Sequence, residues 1–285
     1  GPAGVIFPEG ATGPAILPCG YRDIRGLGRP QDGDGDGLHE CDSGSYEIQA
    51  GPDLAMAQSG VYYDASRSGE GHFLERIGGG LALVSTFTYG RDGGMAWFIG
   101  IGAIVGNSVV IDRMLGTRGG VYGSQFDENA IERYRVGGLS LVFGDCEATS
   151  LAGHMAFQAD RREPFEDLST AASRLTSVVP CSGVASPEAW RSGAYYAVGR
   201  SGEGIFVQYL PDGRAVLVYY GYTPDGQQFW AISGADVSVD GNVLTATMLY
   251  PAGTTRFGQN FNSDEIDLQP WASIRPGCNA SWPPS

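Results

Sequence analysis

An internal repeat constrains the fold of this chain more than any other feature of its sequence. Residues 59–97 align without a gap with residues 192–230 at an offset of 133, and 16 of these 39 aligned positions are identical. The shared positions are, copy by copy, Tyr62-Tyr63 and Tyr195-Tyr196, Arg67–Gly71 and Arg200–Gly204, Phe73 and Phe206, and Trp97 and Trp230. A weaker match joins 122–126 to 257–261. The repeat therefore predicts two related structural units in one chain.

Each copy has the pattern of short antiparallel strands, because runs rich in β-branched and aromatic residues alternate with glycine-containing turns. Asp92-Gly93 and Asp225-Gly226 supply the residues that tight hairpins favour. Strands are predicted near 60–64, 71–77, 81–89, 95–104, 108–115, 139–145, 151–158 and 174–179, then near 193–198, 204–210, 214–222, 228–233, 236–240, 243–250, 255–261 and 266–274. Helical character is limited to one turn around 165–173. The predicted fold is all-β, with two related antiparallel β-barrel or sandwich units.

The second copy is shorter than the first, which suggests three regions. They are an N-terminal arm at 1–58, a first β repeat at 59–183 and a second, truncated repeat at 184–285. Within the arm, Pro14–Gly20 resembles Ser177–Ser182, the end of the first repeat. We therefore expect the arm to supply the missing last strand, since a sheet without it would expose an unpaired edge. That strand would close either its own second copy or that of a neighbouring molecule.

Charge and composition exclude several classes of function. All 18 basic residues are arginine, so chemistry that needs a lysine, such as Schiff-base formation, is excluded. The net charge of −14 makes nucleic acid an unfavourable partner, because an acidic surface repels phosphates. Apolar runs shorter than about ten residues cannot cross a bilayer, so no membrane span is expected.

The repeated signature Ser-Gly-x-Tyr-Tyr-x3-Arg-Ser-Gly-Glu-Gly, followed by Thr88-Tyr89, Asp92-Gly93 and Trp97, resembles a module of secreted proteins of high-GC Gram-negative bacteria. Members of that family read Gly-x-Trp-Trp-Asn-Pro-x-x-Ser-Gly-x-Gly and then Phe-Thr-Tyr-x-x-x-Gly-x-x-x-Trp. The resemblance covers 59–181 and, in truncated form, 192–278. Tyrosine pairs replace the tryptophan pair here, and the Asn-Pro is absent. The resemblance implies a secreted or cell-surface β repeat.

A second resemblance lies in the arm. The acidic segment that starts at Asp32 resembles a thrombospondin type 3 or EF-hand-like calcium loop. Carboxylates at alternate positions surround one Ca²⁺, and Gly37 permits the sharp turn. Ser43 replaces the usual bidentate glutamate, so a nearby acidic residue must complete the shell. The expected ligands are Asp32, Asp34, Asp36, the Leu38 carbonyl, Glu40 and Asp42. The alternative is a flexible Gly-Asp linker.

The five cysteines indicate an oxidising compartment. Cys146 and Cys181 bracket the last strands of the first repeat, and by repeat equivalence Cys19 and Cys278 bracket those of the second. Pairing of Cys19 with Cys41 is the competing arrangement. Either way one cysteine is left over, which allows a bond between molecules or a free thiol.

Glu70 and Glu203, each within Arg-Ser-Gly-Glu-Gly, are the candidate acid/base residues of a hydrolase. The structural alternative is that Glu70 pairs with Arg67 and packs a glycine-rich bulge. Duplication favours the structural role, because active sites are usually unique within a chain. His72 aligns with Ile205, so it is not part of the shared motif, and no nucleophilic triad is predicted.

The recurring aromatic residues are the candidate ligand-binding groups: Tyr62, Tyr63, Trp97, Tyr195, Tyr196 and Trp230. Neighbouring residues of a strand point to opposite faces, so one tyrosine of each pair should be buried and one exposed. Exposed rings would stack on sugars or on a protein surface, whereas buried rings would fill a core.

These observations predict a non-catalytic, calcium-binding, extracellular structural or adhesive subunit. Its expected partners are copies of itself, joined head-to-tail through the N-terminal strand, or a cell-surface polymer. A secreted carbohydrate-binding module and an extracellular hydrolase using Glu70 and Glu203 are the alternatives.

Overall fold

The structure is a computed structural model. It describes residues 59–105, 107–144, 148–155, 166–177, 188–234, 237–240, 243–253 and 255–274. Within these ranges the protein is all-β, and the only helices are 3-10 turns of three residues. The N-terminal arm, with its predicted calcium loop and displaced strand, lies outside the described residues, as do all five cysteines. Those predictions stay predictions.

Eight antiparallel strands form a closed barrel in which neighbours along the chain are neighbours in the sheet. The strands are β1 (Gly60–Tyr63), β2 (Gly71–Gly78), β3 (Leu81–Tyr89), β4 (Met95–Val105), β5 (Ser108–Arg118), β6 (Glu132–Phe143), β7 (Ala148–Met155) and β8 (Glu166–Ser177). Pairing of β8 with β1, in which Gly60 lies opposite Ser177, closes the barrel. Closure leaves no sheet edge on this unit.

The barrel interior is filled by side chains, as expected for eight strands. Its core combines residues from all the strands, with Tyr62, Leu74 and Phe98 completely buried. Alternation along each strand produces this core, because every second side chain points inward. The small size of the barrel leaves the interior packed with apolar groups.

A second antiparallel sheet follows the barrel. Its strands are β9 (Gly193–Tyr195), β10 (Gly204–Tyr209), β11 (Ala215–Tyr222), β12 (Gln228–Ser233), β13 (Ser238–Asp240), β14 (Val243–Gly253) and β15 (Ile266–Ile274). The order is β13-β14-β12-β11-β10-β9, and β15 also pairs with β14. In order and pairing, β9–β11 correspond to β1–β3, β12 and β13 together to β4, and β14 and β15 to β5 and β6. The described residues of this sheet contain no counterparts of β7 and β8.

Two sequence-based predictions about local structure are wrong. Residues 165–173 were expected to contain a helical turn, but β8 occupies Glu166–Ser177. Its pairing with both β7 and β1 overrides the weak local preference of a segment rich in Ser, Thr and Ala. A strand was expected near 255–261, but a 3-10 turn forms at Gly258–Asn260. Gly258 has a φ of 83°, which breaks an extended strand.

Both sheets belong to one compact unit. In the part of the chain that the structure describes, no helix has the length and apolar character needed to cross a membrane.

Candidate functional site

Several of the residues that recur in the two copies lie where the barrel and the second sheet meet, and we call this contact the inter-repeat interface. Its buried core consists of Val61, Phe73, Phe87, Tyr89, Trp97 and Ile131 from the barrel, and Phe206, Val218, Tyr220, Tyr222 and Trp230 from the second sheet. Phe73 and Phe206, which are equivalent in the repeat, lie 4.5 Å apart between ring centroids. Contact between equivalent residues indicates that an approximate two-fold axis relates the copies.

The two tryptophans make reciprocal hydrogen bonds across the inter-repeat interface. The indole Nε1 of Trp97 donates to the carbonyl oxygen of Gly221 at 3.1 Å. The indole Nε1 of Trp230 donates to the carbonyl oxygen of Thr88, also at 3.1 Å. Thr88 and Gly221 are equivalent at the offset of 133, so each copy binds the same backbone position of the other. Both indoles are buried.

The two Arg-Ser-Gly-Glu-Gly loops are also reciprocal. The guanidinium of Arg67 lies 4.4 Å from the ring centroid of Phe261, and that of Arg200 lies 4.5 Å from the ring centroid of Phe126. Arg67 Nη1 donates to the carbonyl oxygen of Gly258 at 2.9 Å. Arg200 Nη2 donates to the equivalent carbonyl oxygen, that of Gly123, at 3.2 Å. Each arginine therefore binds the 3-10 turn of the opposite copy through its charge and its donors.

The glycine before each glutamate is required by conformation and by close approach. Gly69 and Gly202 have φ angles of 107° and 129°. A Cβ at Gly69 would lie 2.4 Å from Cδ1 of Ile266, and one at Gly202 would lie 3.0 Å from Cγ1 of Ile131. Both isoleucines belong to the opposite copy. The shared motif thus places two glycine loops directly against the facing repeat.

The glutamates hold these loops in shape. Arg67 Nε donates to Glu70, and Arg200 Nε donates to Glu203. The other oxygen of Glu70 accepts a hydrogen bond from Thr88 Oγ1 at 2.7 Å. Burial raises the pKa of Glu70, and the contacts with Arg67 and Thr88 oppose that rise. The predicted pairing of Glu70 with Arg67 is present in the structure.

Glu203 has a related setting in the second sheet. Its second oxygen accepts a hydrogen bond from the hydroxyl of Tyr219 at 3.3 Å. Glu70 and Glu203 are 7% and 2% exposed, so neither presents a carboxylate to solvent. A general acid or base must come within hydrogen-bond reach of its substrate. The arrangement favours support of the loop over proton transfer.

His72 lies beside this cluster in the first copy only. Its Nδ1 is 3.0 Å from Thr86 Oγ1. Burial, assisted by the nearby charge of Arg67, lowers the pKa of His72 to about 3. The imidazole is therefore neutral at physiological pH.

The tyrosine pairs behave differently in the two copies. Tyr62 is fully buried in the barrel and Tyr63 is half-buried, in line with the expectation of one inward ring. The same expectation is wrong for the second copy, where Tyr195 and Tyr196 are 47% and 65% exposed. Strand β9 ends at Tyr195, so Tyr196 lies beyond the sheet and strand alternation no longer sets its direction.

Ligand binding by the recurring aromatic residues stays a prediction. In the structure some of these residues are buried and others are exposed. Trp97 lies 4.9 Å from Tyr220, and Trp230 lies 5.8 Å from Phe87, measured between ring centroids. These indoles fill the inter-repeat interface, which is the core-filling alternative. Only Tyr195 and Tyr196 of the predicted set are exposed.

Sequence reasoning did not assign a role to the 3-10 turns that receive the arginines. Their signal was present as the weak match of 122–126 with 257–261, which ends in Phe126 and Phe261. Ile131 and Ile266, which cover the glycine loops, lie just beyond that match. The short match outside the main repeat thus marks the turns that contact the arginines of the opposite copy.

Within the ranges that the structure covers, no group of three or more His, Cys, Asp or Glu residues could hold a metal ion. The predicted calcium ligands lie outside those ranges. No family model, curated protein or solved structure matches this chain.

Proposed function

We propose that the protein is a non-catalytic extracellular subunit with a structural or adhesive role. One observation carries this proposal: the duplicated residues that could perform chemistry are used to hold the two copies together. Trp97 and Trp230 each bond to the opposite copy, and Glu70 and Glu203 brace the loops that contact it. Because these side chains hold the two copies together, they favour a structural role over a catalytic one.

The hydrolase alternative has less support. A glycosidase needs two carboxyl groups about 5–10 Å apart on either side of a sugar. Glu70 and Glu203 are buried, and both oxygens of each have partners within the protein. The double variant Glu70→Gln plus Glu203→Gln tests this alternative on a panel of polysaccharides. Turnover that is present in the native protein and lost in the variant would overturn the non-catalytic assignment.

Calcium binding is the second part of the proposal and rests on the acidic loop from Asp32 to Asp42. Alternate carboxylates in this spacing satisfy the six to eight oxygens that Ca²⁺ requires. Bound Ca²⁺ should protect residues 30–44 from proteolysis, and EGTA should remove that protection. Asp34→Asn plus Asp36→Asn should reproduce the chelated state in a buffer with Ca²⁺. An unchanged melting curve and cleavage pattern in EGTA would remove calcium from the proposal.

Self-assembly through the N-terminal strand is the third part. The described residues of the second sheet supply counterparts for six of the eight barrel strands. In the barrel, β8 completes the sheet by pairing with β1. The segment Pro14–Gly20 resembles Ser177–Ser182, which begins at the last residue of β8, so residues 1–20 are the candidate for the position of β8 in the second copy. Insertion into the next molecule would give a head-to-tail chain with hydrogen bonds along a whole strand.

Light scattering and non-reducing electrophoresis of the full chain test this assembly. Ile16→Asp plus Leu17→Asp should reduce the oligomers to monomers, because charges oppose insertion of the strand. Ile24→Asp plus Leu27→Asp is the matched control, since it adds the same charges outside residues 1–20. A strictly monomeric native protein whose stability is unchanged by deletion of residues 1–20 would exclude both donation and self-closure.

One observation favours carbohydrate binding as a second candidate function. Tyr196 and Trp190, six residues apart in the chain, are 65% and 74% exposed. Exposed aromatic rings are stacking surfaces for sugars. Tyr196→Ala plus Trp190→Ala should then abolish retention on the polysaccharide that the native protein binds. Tyr63→Ala, the equivalent change in the first copy, should retain it.

A further inference from the structure

We infer that the inter-repeat interface is a self-complementary docking surface, on which each repeat of the chain binds the other. This contact holds the barrel and the second sheet together without a covalent link. This inference is independent of the proposed function. It concerns a surface that is distinct from the N-terminal strand. The partner is defined by four features: the arginine, the glycine loop, the tryptophan and the 3-10 turn that ends in phenylalanine.

Reciprocity is the first support. In a self-complementary interface, residue i contacts residue j, and the equivalent of j contacts the equivalent of i. The indole of Trp97 bonds to position 221, and that of Trp230 bonds to the equivalent position 88. Arg67 with Phe261 and Arg200 with Phe126 form a second reciprocal pair. Contacts made by a chance juxtaposition of two domains would not be repeated in this way.

Composition is the second support. The interface core contains two tryptophans, three tyrosines and three phenylalanines among its buried residues. Arginines close it on either side of the axis. Tryptophan, tyrosine and arginine dominate the binding energy of stable protein–protein interfaces. The composition of this surface is therefore that of a permanent protein–protein interface. Domains joined by a linker usually form more polar, transient contacts.

The chain connection is the third support. The barrel ends at Ser177, and the next described residue is Glu188. Each of the reciprocal contacts joins a residue before this connection to a residue after it. Cutting the chain here removes only the tether, which acts by raising the local concentration of each repeat for the other. An interface of this composition should persist after the cut.

The experiment uses the full chain with a protease site inserted between Ser182 and Pro187. Reducing buffer prevents the predicted Cys19–Cys278 bond from joining the fragments. A second chain that lacks residues 1–20 carries the same site, so that a donated strand cannot join them either. After cleavage at about 1 µM protein, a concentration that separates tight from weak contacts, light scattering should give one species containing both fragments in both chains. Separate fragments in both chains would overturn the inference.

Fragments that stay together only when residues 1–20 are present would also overturn it, while supporting the donated strand. This outcome separates failure of the docking surface from failure of the proposed function. Dilution of the cleaved complex then measures its dissociation constant.

Two matched variants test whether the reciprocal contacts carry the affinity. Trp97→Phe and Trp230→Phe each remove one buried indole donor, and each should weaken the complex by about tenfold or more. Because the two bonds are equivalent, the two losses should be similar. Trp190→Phe changes an exposed tryptophan and should leave the affinity unchanged. Equal dissociation constants in all four proteins would show that the fragments are held by another contact.

Circular dichroism before cleavage verifies that each variant is folded. If the tryptophan variants do not fold, Arg67→Met and Arg200→Met replace them, since both side chains lie at the border of the interface. The same matched weakening is expected, and its absence contradicts the inference.

Discussion

The two copies of the repeat share their contact with each other and differ in what surrounds their glutamates. In the first copy His72 contacts Thr86, and Thr88 donates a hydrogen bond to Glu70. The equivalent positions of the second copy are Ile205, Tyr219 and Gly221. Polar groups have been exchanged for apolar or aromatic ones while the arginine, glycine and tryptophan contacts are the same in both. The arginine, the glycine loop and the tryptophan of the repeated signature therefore form the interface between the copies, whereas the residues behind the glutamates differ.

The largest expected difference concerns Tyr62 and Tyr195, which are equivalent in sequence. Tyr62 is fully buried and packs 5.7 Å from Phe143, measured between ring centroids, whereas Tyr195 is 47% exposed. Tyr62→Ala should lower the free energy of unfolding by about 3–5 kcal/mol, as large aromatic truncations in cores do. Tyr195→Ala should cost about 1 kcal/mol or less. Urea denaturation of both variants measures the difference, and equal losses would contradict the contrast between the copies.

A smaller effect is expected from His72, which makes the stability of the protein depend on pH and has no counterpart in the second copy. His72 has its pKa lowered to about 3, so the unfolded state binds a proton below pH 6.5 that the folded state does not. His72 therefore contributes a loss of stability of about 1.4 kcal/mol per pH unit as pH falls from 6.5 towards 3. His72→Ile, which installs the residue of the second copy, should remove this part of the loss.

Melting curves at pH 7, 6 and 5 measure the effect as the difference between native protein and variant. The raised pKa of Glu70 acts in the opposite direction at lower pH, because its protonation favours the folded state. Comparing the two proteins cancels that contribution. A difference that does not change between pH 7 and pH 5 would mean that His72 does not titrate in this way.

The glycine loops should respond unequally to the same substitution. Gly69→Ala and Gly202→Ala both place a side chain at positive φ, at a cost of about 1–2 kcal/mol. Gly69→Ala should cost more, because its Cβ would lie 2.4 Å from Ile266, against 3.0 Å from Ile131 for Gly202→Ala. Thermal unfolding measures the order. The reverse order would show that the loop of Gly202 is packed more tightly than the loop of Gly69.

The smallest effect is expected at the turn between β10 and β11. There Asp212 pairs with Arg214 on the surface, while the first copy has glycine and leucine at the equivalent positions. Exposed ion pairs contribute little to stability. Asp212→Asn should leave the melting temperature unchanged within error. A clear decrease would indicate that this turn is a specific feature of the second copy.

Much of the barrel could be predicted from the sequence, because alternation and glycine-containing turns mark the strands from β1 to β5. Only the end of strand β8 could be predicted, as part of the strand expected near 174–179. The rest of Glu166–Ser177 is rich in small polar residues and becomes a strand only between two neighbours. The pairing of Glu70 with Arg67 was accessible, because the two residues are three apart in the chain. The contact of Arg67 with Phe261 was not, because no local pattern specifies a partner so distant in sequence.

The amino-acid sequence alone indicates that this protein is all-β, that its pattern is duplicated, and that its repeated residues include Trp97 and Trp230. These properties follow from composition and periodicity, which act over a few residues. The face that those residues occupy depends on how the two copies pack against each other. Trp97 reaches the carbonyl of Gly221, and Trp230 reaches that of Thr88, because the two copies pack about an approximate two-fold axis. Burying the recurring aromatic rings against each other removes more apolar surface from water than leaving each copy alone.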